Sequence, residues 1–112
     1  MKHVNIREVP AEDVGAPAKK TRIRWLITED DGAETFVMRH FEVDPGGHTP
    51  RHDHAWEHEV YILKGKGVVV QDEFEKPVGP GDALFVPGGQ VHQFRNTGAE
   101  TLEFLCLIPA RH

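Results

Sequence analysis

Glycine and proline recur along this chain at intervals too short for helices of ordinary length. The turn signals are Gly15-Ala16-Pro17, Asp31-Gly32, Asp44-Pro45-Gly46-Gly47, Gly65-Lys66-Gly67, the stretch from Pro77 to Gly81, Pro87-Gly88-Gly89 and Asn96-Thr97-Gly98. Between them lie runs rich in Val, Ile, Phe, Leu and Thr, which read as strands. The pattern predicts strands at 22–28, 34–43, 59–63, 67–71, 83–86, 92–96 and 101–108. Many short strands at such spacing imply an all-β sandwich or barrel. Residues 1–20 fit this pattern least: Glu8 to Lys20 holds two prolines, one glycine and five charges. They are expected to form an N-terminal arm or edge segment, with 21–112 as the domain proper.

At 112 residues the chain is the size of one domain that can bury a core without staples. Its formal net charge is −5, from 13 basic and 18 acidic residues, with no Lys/Arg run to neutralise a phosphate backbone or an anionic bilayer. Nucleic acid and membrane are therefore not expected partners. The sequence MKHVNIREVP lacks the apolar stretch of a signal peptide, and the lone Cys106 cannot form an internal disulfide, so a cytoplasmic protein is expected.

Eight histidines are the unusual part of the composition, and three fall within residues 51–58, RHDHAWEH. Neutral imidazole is a good ligand for first-row transition metals, and His52 and His54, one residue apart on extended backbone, point to the same side. A pair of this kind is weak evidence alone, because surface loops also carry histidines.

The residues around that pair resemble the cupin superfamily. Gly46, five residues, then His52-Asp53-His54 opens the first cupin motif; Gly81, Pro87, Gly89, His92 and Asn96 match every spaced position of the second. The family's usual acidic ligand is displaced. Glu59 satisfies the spacing from His54 but not that to Gly65, whereas His58 satisfies both, so His58 is read in place of the carboxylate. By period-two alternation Glu59 then faces the other way, as an exterior or dimer-interface carboxylate or as an acceptor for a ligand's free N–H. The resemblance implies a single-domain jelly-roll β-barrel holding one divalent metal through His52, His54, His58 and His92. More narrowly, HDHAWEHEVYILKGKG and FLCLIP are similar to small bacterial cupins with an all-histidine site, a subgroup associated with manganese and with homodimers. By ligand type Fe, Ni, Cu, Zn and Co suit four imidazoles as well.

Alternation also suggests what surrounds the metal. Phe94 shares a face with His92, and Phe104 and Cys106 share the face of the last strand that excludes Glu103, which would be costly inside a barrel without a partner. Cys106 either approaches the metal or is simply a small buried hydrophobe. In 34–43, His40 shares a face with Phe36 and Met38, while Val37, Arg39, Phe41 and Val43 share the other. If that second face looks inward, Arg39 enters the barrel to meet a substrate carboxylate; the alternative is a structural ion pair. His3, His48 and His112 are read as surface residues, and Gly46-Gly47 and Gly88-Gly89 as turns with positive φ. No nucleophile triad or phosphate loop is present.

The expected function is a metal-dependent oxidoreductase of dioxygenase type acting on a small organic molecule. Two alternatives stand beside it: metal-assisted decarboxylation or isomerisation of a small carboxylate, favoured if Arg39 faces the metal, and a non-catalytic ligand- or metal-sensing module.

Overall fold

The computed structural model describes residues 1–110, so the surface reading of His112 lies outside the described residues. Among these there is no α-helix; nine antiparallel strands follow one another as β1 (Glu12–Asp13), β2 (Lys19–Ile27), β3 (Phe36–His48), β4 (His58–Lys64), β5 (Gly67–Gln71), β6 (Phe74–Val78), β7 (Ala83–Val86), β8 (His92–Arg95) and β9 (Leu102–Pro109). They form one curled sheet in the order β6-β5-β8-β3-β9-β4-β7, with β2 added to β3 and β1 to β2. This is the all-β jelly-roll architecture expected.

Alternation along the strands explains where the core sits. In β9, Leu102, Phe104, Cys106 and Ile108 are buried and their neighbours only half-buried. In β3, Val37, Phe41 and Val43 turn inward with them. Phe104 anchors the interior: its ring stacks on Phe41 at 5.2 Å and tilts against Phe94 at 4.6 Å. Such aromatic pairs add about 0.5–1.5 kcal/mol beyond the area they bury.

Four local features depart from the sequence expectation. Residues 74–78 form β6 although Pro77 reads as a turn; β6 pairs only with β5, and an edge strand tolerates a residue without an N–H. Asp44-Pro45-Gly46-Gly47 does not end β3. It is absorbed where β2 shifts register between Lys19 and Thr21, and Asp44 binds Arg22 at 2.8 and 3.0 Å. His48, read as a surface residue, is half-buried at the end of β3 between Lys19 and Arg95. Only one glycine of each pair has positive φ, Gly46 at 81° and Gly89 at 82°; Gly47 and Gly88 are required instead by close backbone approach.

His40 lies on the face of β3 opposite Arg39 and is nevertheless 1% exposed, with Nε2 3.2 Å from Glu103. Arg24, in register with His40, reaches Glu42 beside it. The outer face of this sheet is thus covered locally by a charged network.

Candidate metal centre

Two backbone clamps bring the histidines together. His52 and His92 exchange N–H···O bonds of 3.2 and 2.9 Å, and the Gly89 amide donates to the His54 carbonyl at 2.7 Å. Gly88 makes that second clamp possible: a Cβ there would stand 2.2 Å from the Ala55 carbonyl oxygen. The Pro-Gly-Gly turn is therefore locked to the loop that carries His52 and His54.

One ligand atom from each of His52, His54 and His92 falls within 4.8 Å of the others. His58 enters from the start of β4, buried, with its ring stacked at 4.3 Å on His54 and its Nε2 2.6 Å from His54 Nε2. Its ring also lies 5.1 Å from that of His92. Glu59, the next residue, is exposed on the opposite face, in register with Phe85 and Leu107.

The rings are held from behind. His54 Nδ1 donates to the Trp56 carbonyl at 3.0 Å and His92 Nδ1 to the Gln90 carbonyl at 2.9 Å. A carbonyl only accepts, so both protons sit on Nδ1 and both Nε2 atoms present lone pairs. Burial lowers the basicity of His52, His54 and His58; His58 is pushed down to about 3, first by burial and then by the positive charge of Arg39. Imidazole nitrogens gathered this closely, with His54 and His92 held by backbone carbonyls so that each turns an Nε2 lone pair outward, are a donor set suited to a divalent transition metal. The residues fit such an ion.

The cluster sits in a cavity of about 480 Å³. Phe94, Phe104, Cys106 and Arg39 all line it. Arg39 makes no ion pair among the described residues. Its guanidinium packs over Phe41 at 5.0 Å and Trp25 at 5.7 Å, Nη2 donates to Cys106 Sγ at 2.9 Å, and Nε is buried without a hydrogen-bond partner. Burial pushes the Cys106 thiol up, against the pull of Arg39, so sulfur keeps its proton at neutral pH. His58 Nδ1 lies 3.1 Å from the same sulfur.

Sequence reasoning passed over several wall residues. Trp56 stacks on His54 at 4.3 Å with ring planes 3° apart, and Trp25, Ile23 and the segment Glu12, Asp13 and Val14 also line the cavity. Trp56 carried a usable signal, two residues from both His54 and His58. The N-terminal residues carried none, because their place depends on β1 pairing with β2, Glu12 opposite Ile23.

Residues 39–108 match the family described as Cupin domain. The polyketide cyclase RemF from Streptomyces resistomycificus superposes with a TM-score of 0.92 at 42% identity, over 99% of this chain and 80% of that one. The 1-methylthio-D-xylulose 5-phosphate methylsulfurylase of Rhodospirillum rubrum is 42% identical over 88% of this chain and 62% of its own length. An oxalate-binding protein of Thermotoga maritima is 38% identical over 64% of this chain and 60% of its own. The chain thus spans about 60% of the length of these curated relatives.

Proposed function

The chain belongs to the cupin family, and from that premise we propose that it is a metal-dependent enzyme acting on a small, flat, carbonyl-bearing organic anion by isomerisation or decarboxylation. The observation that carries this reading is Arg39, whose guanidinium lines the same cavity as the imidazole cluster with its buried Nε–H unpaired. His52, His54, His58 and His92 would hold the ion. Manganese is the first expectation from the subgroup resemblance, although four nitrogens suit iron, cobalt, nickel, copper and zinc too. When bound, the metal supplies Lewis-acid polarisation of a ligand oxygen.

The chain's own residues account for the rest. Arg39 neutralises and orients a carboxylate, and its planar fork suits bidentate contact. Trp25, Phe41, Phe94 and Phe104 give the ligand flat apolar walls and keep water away from it. The imidazoles stay fixed because His54 and His92 are tied to backbone carbonyls. A polyketide cyclase and an oxalate-binding protein among the relatives support carbonyl and carboxylate ligands respectively.

We propose further that the protein acts as a homodimer. Support comes from the outer face of β4, β7 and β9, where Tyr61 is 47%, Leu63 43% and Phe85 58% exposed beside half-buried Leu105 and Leu107.

The test of the reaction is a panel of keto acids and aromatic β-diketones in deuterated buffer with manganese-loaded protein, read by proton NMR and an oxygen electrode. Deuterium exchange or loss of carbon dioxide without oxygen uptake is expected, and Arg39→Met should weaken carboxylate binding about 10- to 100-fold, the value of a charged hydrogen bond. Oxygen uptake matching substrate loss would overturn this in favour of dioxygenase chemistry. Binding without any turnover would favour a sensing module.

A further inference from the structure

Cys106 stands behind the imidazole cluster, 2% exposed, with its sulfur between Arg39 Nη2 and His58 Nδ1. Its neighbour His58 meets a constraint from the other side. His54 Nε2 is a lone pair, because His54 Nδ1 donates to the Trp56 carbonyl, and His58 Nε2 lies only 2.6 Å from it. Two lone pairs at that distance repel. Without a cation between them, His58 Nε2 must therefore carry a proton and donate it to His54, which leaves His58 Nδ1 as an acceptor. With a divalent ion coordinated by both nitrogens, His58 Nε2 must be bare and Nδ1 must carry the proton. The buried Nδ1 thus needs a hydrogen-bond acceptor in one state and a donor in the other.

We propose that Cys106 is a positioning residue that serves both tautomers of His58, donating S–H to Nδ1 before metal binds and accepting Nδ1–H afterwards. A thiol can do either, whereas a carbonyl, of the kind that fixes His54 and His92, only accepts. Protons balance: the imidazole proton leaves Nε2 and one returns on Nδ1, the thiol keeps its own by rotating about Cβ–Sγ, and no net charge changes. Arg39 Nη2 donates to the sulfur in both states and keeps it in place while the thiol proton swings. The residue opposite Arg39 in the β3–β9 register is Cys106, so ligand-binding arginine and metal-binding histidine share this one atom.

This inference rests on His58 being a ligand, and the experiment separates the two ideas. Protein labelled with ¹⁵N-histidine is dialysed against chelator, and imidazole nitrogen shifts are recorded before and after titration with zinc as a diamagnetic probe. The expected result is the Nε2-protonated tautomer for His58 without metal and the Nδ1-protonated tautomer with it. Cys106→Ser, which keeps a group able to donate and accept, should show the same exchange, while Cys106→Ala should lose about 10- to 100-fold in zinc affinity. Nδ1 protonated in both states, or Cys106→Ala binding zinc as tightly as the native protein, overturns the proposal. If wild-type protein fails to bind zinc, the ligand reading itself falls, and with it the exchange. The wild-type spectra decide the matter even if Cys106→Ala does not fold.

Discussion

Replacing His58 by alanine is the most informative single perturbation. The side chain is 7% exposed, and its two nitrogens meet His54 Nε2 at 2.6 Å and Cys106 Sγ at 3.1 Å. Loss of a partner that merely orients a ligand lowers metal affinity about 10- to 100-fold, roughly 1.4–2.7 kcal/mol. His58→Ala removes the donor atom itself and leaves the sulfur facing a void, so the loss should exceed ~100-fold. His58→Glu puts the family's usual carboxylate at the same inward position and should keep the site loaded. Glu59→Ala alters an exposed residue on the outer face, worth within about 0.5 kcal/mol, or roughly twofold. Competition against a chromophoric chelator gives the affinities, and plasma mass spectrometry gives metal per chain. Full loading of His58→Ala beside an empty Glu59→Ala would refute the reasoning and identify a three-histidine, one-glutamate centre.

Three further outcomes are expected. Stability of the metal-free protein should fall on acidification below about pH 6.5. Burial lowers the folded-state pKa of His40 and takes His58 to about 3, so in that window the unfolded chain binds more protons; a urea midpoint level from pH 7 to pH 5 would contradict this. Phe104→Ala, which opens a void between Phe41 and Phe94, should cost ~3–5 kcal/mol in urea unfolding. Light scattering at micromolar concentration should give the mass of two chains, and Phe85→Glu with Tyr61→Glu should reduce it to one; a monomer mass for the native protein would reject the dimer.

Much of the architecture was legible in the chain because local rules acted alone there. Turn residues separated the strands, and period-two alternation assigned Leu102, Phe104, Cys106 and Ile108 to one face without knowledge of their neighbours. The same alternation set His58 and Glu59 on opposite sides of β4. What it could not supply was which faces meet. Arg39 touches Cys106 because β3 and β9 pair in one particular register, and Cys106 touches His58 because β9 also pairs with β4. A residue's side of its own strand follows from backbone geometry within two residues. Its partner across the barrel follows from hydrogen-bond register between segments 48 to 67 residues apart, which packing of the whole interior selects. For the same reason β6 was hidden behind Pro77 until its edge position was known, and His40, on an outward face, became buried only when Glu103 and Arg24 closed over it. The chain placed the imidazoles; tertiary pairing decided what stands behind them.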